Sequence, residues 1–204
     1  MAYKNRQKGF TIIELMIAIS VFAAAVVLIT MGVLLISRQY QQGSTRTKLE
    51  SANREVHQTF TQAVQFANGT YQTNSVVYAG YTASCIGTKR FIYGSQPTLP
   101  YDESKYNSLN PGLYIDSVDN KTCPNTSNPK AGTNLLPPGA KVVQFDFDDV
   151  QKKFTTKFVS SPGDLLDYGT LPEYNIKCNS GIAGREFCAV VQLTSSAIQR
   201  VSYH

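Results

Sequence analysis

Residues 8–16 read KGFTIIELM, and the apolar run that begins within this stretch continues to Ile36. Among the 25 residues from Ile12 to Ile36, the only ionisable side chain is that of Glu14. At about 1.5 Å of rise per residue, a helix over this run would be roughly 37 Å long, which exceeds the thickness of about 30 Å of a hydrocarbon core. We therefore predict a membrane-spanning helix over about residues 12–36.

Glu14 is an unusual residue for a membrane helix. A carboxylate at the centre of a bilayer costs about 2.5 kcal/mol or more, so it needs a partner or a position near the interface. No Lys or Arg follows within the next helical turns, and the leader cations Lys4, Arg6 and Lys8 are expected on the cytoplasmic side. Glu14 therefore either turns back towards these cations or pairs with another molecule.

The order of residues in this segment resembles the class III signal of type IV pilins and type II secretion pseudopilins. The shared features are a basic leader, Gly-Phe-Thr, two apolar residues, Glu-Leu-Met and a long apolar helix. The resemblance implies that prepilin peptidase cuts between Gly9 and Phe10, removes residues 1–9, and N-methylates Phe10. It also implies that Glu14 pairs with the free α-amine of a neighbouring subunit during assembly.

The apolar segment could also be an ordinary uncleaved anchor or a secretory signal. An ordinary uncleaved anchor would leave Glu14 without a role. A secretory signal cut near Ala23-Ala24-Ala25 is disfavoured, because the apolar run continues to Ile36 and cleavage there would leave an apolar new terminus.

Helical periodicity resumes beyond the membrane segment. Apolar residues recur at spacings of three and four, which places them on one helix face: Leu49, Ala52, Val56, Phe60, Ala63, Val64 and Ala67. We predict an N-terminal helix over residues 10–69, with a weak point at Gly43-Ser44 and a stop at Asn68-Gly69. Its second half should pack against the sheet of the following domain.

Residues 70–204 are predicted to form a globular, β-rich head. Strand-like runs occur at residues 75–81, 90–93, 113–115, 173–178, 187–193 and 198–203. Residues 94–138 are expected to be mostly loops, because they are rich in Pro, Asn, Ser, Thr and Gly. A long helix followed by antiparallel strands predicts an α+β fold, which is also the arrangement that the resemblance to pilins implies.

The clearest strand pattern in the head is a β-hairpin. Residues 141–149 alternate, so that Val143, Phe145 and Phe147 share one face. After a turn at residues 150–152, the inward face should continue with Phe154, Thr156 and Phe158.

Four cysteines follow the membrane segment, on the side where disulfides persist. Four cysteines allow three connectivities. We favour Cys85–Cys123, which would close a loop region, and Cys178–Cys188, which brackets an apparent hairpin. A zinc site is disfavoured, because there is no C-x-x-C pair and both histidines are distant in sequence.

The charge distribution gives no indication of nucleic-acid binding. The net charge of +5 arises largely from the leader and the helix, since the head has twelve basic and eleven acidic residues. No basic stripe that could replace the counterions of a phosphate backbone is evident.

Catalytic and cofactor motifs are also missing from the sequence. His57 lies on the predicted helix and His204 is the last residue, so a Ser-His-Asp or Cys-His pair would need an improbable fold. We predict no enzyme activity, no cofactor and no metal site. A calcium site remains an open alternative, formed by Asp146, Asp148 and Asp149 with loop oxygens such as those of Asp116 and Asp119. Tyr101 and Tyr106 lie in a polar loop and are candidates for a contact surface.

The segment from Asn53 to Ala63, followed by a Tyr-rich strand region, resembles minor pilins and pseudopilins of the PilW and PulJ kind. The resemblance implies a structural subunit of a type IV pilus or related filament. Its expected partners are prepilin peptidase/N-methyltransferase, other pilin subunits, the assembly platform and, before assembly, membrane lipid. The head would lie outside the cytoplasm, and the filament at the cell surface or in the periplasm. A minor pseudopilin of a type II secretion system and a tip-located pilin that binds a surface or DNA remain alternatives.

Overall fold

The computed structural model describes residues 9–67, 72–78, 80–94, 99–118, 130, 132–148, 151, 153–170 and 175–197. The chain divides into two compact units between Tyr40 and Gln41. The predicted α+β fold is confirmed, because a long N-terminal helix is followed by antiparallel sheets.

The first helix, α1 (Ile12–Phe66), is 55 residues long. Every residue from Gly9 to Tyr40 is exposed except Gly32, which is half-buried. Among the described residues, α1 is the one helix long and apolar enough to cross a membrane. The predicted apolar face of its second half is confirmed, since it belongs to the core of the second unit.

Five antiparallel strands form the first sheet, in the order in which they occur in the chain: β1 (Gln72–Tyr78), β2 (Tyr81–Ile86), β3 (Lys89–Gly94), β4 (Leu113–Ser117) and β5 (Thr133–Asn134). The single strand predicted at residues 75–81 is wrong. Gly80 has a φ of 78°, which places it in a left-handed turn that separates β1 from β2. The loop region also contains a short helix, α2 (Glu103–Ser108), which the Asp102 side chain caps by accepting from the Lys105 N–H.

The second sheet contains the predicted hairpin, β6 (Lys141–Asp148) and β7 (Lys153–Ser160). A bulge between Val142 and Gln144 shifts the register of this pair. As a result Val143 packs in a different core cluster from Phe145 and Phe147, contrary to the predicted shared face.

Two short strands, β8 (Leu166–Asp167) and β9 (Lys177–Cys178), pair with each other. The last described strand, β10 (Ala189–Ser196), pairs with β7 and completes the second sheet in the order β10-β7-β6. Cys178 and Cys188 therefore do not bracket a hairpin, contrary to the prediction. The segment between them contains a turn of 3₁₀ helix. The strand predicted at residues 198–203 lies outside the described residues.

Phe60 of α1 is the centre of the main core. Its ring is fully buried and stacks on that of Phe154 with the centroids 3.5 Å apart. It also contacts Phe91 of β3 and both Phe145 and Phe147 of β6. One helix residue thus joins strands of the two sheets into one aromatic cluster.

Candidate functional site

The residues just before α1 are open to solvent. Gly9 and Phe10 have no regular secondary structure, and the side chain of Phe10 is 85% exposed. A Cβ built on Gly9 would meet nothing within 4 Å. The peptide bond between these two residues is therefore both accessible and non-helical, as a bond must be to enter the active site of a peptidase.

Thr11 and Glu14 cap the first turn of α1 reciprocally. Oε2 of Glu14 accepts hydrogen bonds from the backbone N–H of Thr11 at 2.9 Å and from its hydroxyl at 2.8 Å. The hydroxyl oxygen of Thr11 in turn accepts from the backbone N–H of Glu14 at 3.3 Å. This is a capping box, in which T-x-x-E satisfies N–H groups that the helix start leaves without partners.

The capping box gives Thr11 a role that our sequence reasoning missed. The signal was present, because Thr-x-x-Glu stands directly before the apolar run. Both capping bonds end on Oε2, so Oε1 has no hydrogen-bond partner among the described residues. Glu14 can therefore hold its own helix start and still offer one oxygen to a donor from another molecule.

The apolar surface that follows Glu14 is unusually large for a single chain. Bulky side chains that are more than half exposed include Ile17, Phe22, Leu28, Leu35 and Ile36. Within this unit such a surface cannot be shielded from water by the chain itself. It requires lipid or other apolar helices around it.

The structure contains the predicted disulfide between Cys178 and Cys188, whose Cα atoms are 5.8 Å apart. Cys85 is also disulfide-bonded. Cys123 lies outside the described residues, so the Cys85–Cys123 pairing stays a prediction. Disulfides fit a head on the oxidising side of the membrane.

His57 is only 5% exposed and takes part in a buried polar network that the sequence did not predict. Its Nδ1 is 2.6 Å from the Ser195 hydroxyl, and its Nε2 is 2.7 Å from that of Thr156. The hydroxyl of Thr156 donates its one proton to Oδ1 of Asn53 at 2.6 Å. The Thr156 oxygen must therefore accept from His57, whose Nε2 carries the proton.

The Ser195–His57 contact joins two of the side-chain types of a catalytic triad, a constellation that the sequence does not predict. Burial lowers the pKa of His57 to about 4, so its imidazole is neutral at pH 7 and a weak base. A ring that is 5% exposed is also closed to a substrate. We therefore interpret this network as the polar part of the packing between α1 and the second sheet.

Two of the tyrosine and aspartate candidates, Tyr106 and Asp116, have structural roles. Tyr106 is 1% exposed and its hydroxyl donates to the Ser161 carbonyl at 2.7 Å, so its prediction as a contact residue is wrong. Asp116 is paired with Arg90 on the neighbouring strand. No group of three or more potential metal ligands occurs among the described residues, which exclude Asp119 and Asp149 of the proposed calcium set.

Comparison with known proteins agrees with the geometry of the N-terminal segment. The family model described as the prokaryotic N-terminal methylation motif matches residues 4–37. Residues 4–37 therefore carry a class III signal, which supports a relation to type IV pilin-like proteins, and the long helix and antiparallel sheets form a pilin-like architecture. No curated protein matches the chain. No solved structure matches it either.

The matched segment also supports broader statements about processing and location. The motif implies processing by prepilin peptidase and assembly with other pilins, and it suggests a membrane-anchored protein that is later exposed at the surface. Pilin-like proteins are generally structural rather than enzymatic.

Proposed function

We propose that this protein is a minor structural subunit of a type IV pilus or related filament. Prepilin peptidase cuts the chain between Gly9 and Phe10 and methylates the new terminus, and the subunit then leaves the membrane through the assembly platform. The observation that carries the proposal is the N-terminal methylation motif joined to an exposed apolar helix that starts with a capping box.

The exposed half of α1 accounts for both environments in this life cycle. Before assembly its side chains contact lipid, and afterwards they pack against the corresponding helices of neighbouring subunits. Transfer between two apolar surroundings costs little hydrophobic free energy, because the apolar area stays out of water in both. The same surface thus serves first as an anchor and then as a polymerisation interface.

Glu14 supplies the specificity that an apolar surface lacks. Cleavage creates a positively charged amine on Phe10, and the open Oε1 of Glu14 on an adjacent subunit accepts a hydrogen bond from it. In a low-dielectric setting an unpaired charge costs several kcal/mol. Docking in a register that places the amine away from Glu14 is therefore less stable, so this ion pair determines the register of the filament.

The decisive experiment compares the Glu14→Ala variant with wild type in sheared surface filaments. Loss of the pairing carboxylate should reduce incorporation by about tenfold or more, given a charged-pair cost of a few kcal/mol. Glu50→Ala is the matched control, because Glu50 is also an acid on α1 but pairs with Arg46 at a separation of four residues. The control should leave incorporation unchanged.

Mass spectrometry of the same fractions tests processing and abundance. A chain that begins at methylated Phe10 and is present in small amounts in the filaments is expected for a minor subunit. Abundance comparable to that of the principal filament protein would overturn the minor role. An uncleaved chain confined to the membrane, or normal incorporation of Glu14→Ala, would overturn the assembly mechanism.

A further inference from the structure

A cavity of about 330 Å³ lies in the second unit, beside the disulfide. We call it the basic pocket. Its lining residues come from α1, β7, the segment around β9 and the start of β10: Gln42, Arg46, Lys157, Asn175, Ile176, Lys177, Cys178, Cys188, Ala189, Val190 and Gln192. Three of them are cationic, and none of these lining residues carries a carboxylate.

Lys157 is the unusual member of this set. It is only 7% exposed, yet within the part of the chain that the structure describes its ammonium group makes one hydrogen bond, to Oδ1 of Asn175 at 2.6 Å. Asn175 is neutral, so no described carboxylate compensates the buried charge. An ammonium group has three N–H donors, and two of these have no described acceptor. Burying a charge in this way costs free energy unless a counter-ion pairs with it.

The charges around the basic pocket favour a doubly charged ligand. Lys177 lies at the exposed side of the pocket, and its positive charge adds to the effect of burial in lowering the pKa of Lys157. Arg46 also lines the pocket, but Glu50 already pairs with it at 2.7 Å. Among the described residues no carboxylate pairs with either lysine, so their two positive charges match a phosphate dianion better than a carboxylate.

We propose that the basic pocket binds the phosphate group of an anionic ligand, with Lys157 as the buried cation and Lys177 at the rim. The apolar side chains of Ile176 and Val190 line the same cavity and suit the organic part of a phosphate ester. The phosphate belongs either to an anionic phospholipid or to a soluble compound. Gln42 follows the predicted membrane segment by six residues, which makes a lipid headgroup available to this part of the chain.

The first test is calorimetric titration of inorganic phosphate into the full chain in neutral detergent. One phosphate should bind per chain, and Lys157→Met should weaken its affinity by about tenfold, the effect of losing one charge-assisted contact. Lys177→Gln changes an exposed side chain and should weaken binding by about threefold without affecting the fold. Lys153→Gln is the matched control, because it removes an exposed lysine of β7 that does not line the pocket.

The second test identifies the source of the phosphate. The full chain is reconstituted in nanodiscs of phosphatidylcholine with phosphatidic acid, whose phosphomonoester can carry two negative charges, and the lipid that the chain retains on release is counted by native mass spectrometry. If wild type retains lipid and the Lys157→Met and Lys177→Gln variants retain less of it, the pocket binds a lipid headgroup. Titratable phosphate without lipid retention assigns it to a soluble phosphate. The proposal is overturned if wild type binds neither, or if both lysine variants bind as well as Lys153→Gln.

Discussion

Acidification should weaken the packing of α1 on the second sheet through His57. In the folded chain the pKa of this residue is about 4, because burial disfavours the charged imidazole. In the unfolded chain it returns to about 6.5. The neutral ring therefore contributes stability that is fully present above pH 6.5 and is lost progressively as the pH falls towards 4.

The expected size of this loss follows from the two pKa values. Between pH 7 and pH 5 the unfolded chain takes up a proton on His57 that the folded chain does not, and the free energy of unfolding falls by about 2 kcal/mol. The loss is nearly complete by pH 4, at about 3 kcal/mol. The lowered pKa of Asp102 contributes in a lower range, because this carboxylate starts from an ordinary value of 3.8.

Urea denaturation of the full chain in neutral detergent measures this effect at pH 7 and pH 5. The chain has twelve tyrosines and no tryptophan, so tyrosine near-UV circular dichroism reports on the head. His57→Gln should be less stable at pH 7, because it disturbs the bonds to Thr156 and Ser195, but its stability should change less with pH. An equal pH dependence in wild type and His57→Gln would refute the reasoning.

Three further outcomes test the helix start, the core and the disulfide. Thr11→Val keeps the shape of the side chain but loses the hydroxyl of the capping box, which should cost about 1 kcal/mol at the helix start and reduce incorporation into sheared filaments less than loss of the carboxylate does. Phe60→Ala should lower the free energy of unfolding in urea by about 3–5 kcal/mol because its ring is fully buried, whereas Ile182→Ala, at a residue 41% exposed, should cost less than about 1 kcal/mol. Replacing both Cys178 and Cys188 by Ser should cost about 2–3 kcal/mol in the same assay, because the bond closes a loop with a sequence separation of ten. If Phe60→Ala or the double Cys→Ser variant unfolds at the same urea concentration as wild type, the corresponding structural role is contradicted. If Thr11→Val is incorporated into filaments as well as wild type, the role of the capping box is contradicted.

The parts of this protein that the sequence predicted are those governed by local periodicity. The apolar run indicated the long exposed helix, whereas the assembly role of Glu14 stays a prediction. The spacing of Leu49, Val56 and Phe60 identified the buried face of α1, and the alternation around Phe145 identified the hairpin. These patterns depend on a period of 3.6 or 2 residues and need no knowledge of distant parts of the chain.

The features that the sequence did not reveal depend on residues that are distant from one another in the chain. Asn53 and His57 are buried through hydrogen bonds with Thr156 and Ser195, which lie about one hundred or more residues further along the chain. The burial of Lys157 on β7 likewise has no signal in the sequence around it. The bulge beside Val143 inserts one residue and redirects that side chain to another cluster, which no alternating pattern can express.

The position of Phe60 at the junction of two sheets has a consequence for the order in which the protein matures. Synthesis delivers α1 first, and Phe91, Phe145 and Phe154 emerge only later. Until β7 has been synthesised, the buried face of the helix has no complete set of partners. The core of the second unit therefore forms late around a residue that is synthesised early, and a chain that ends before β7 would leave the apolar face of α1 around Phe60 exposed to water.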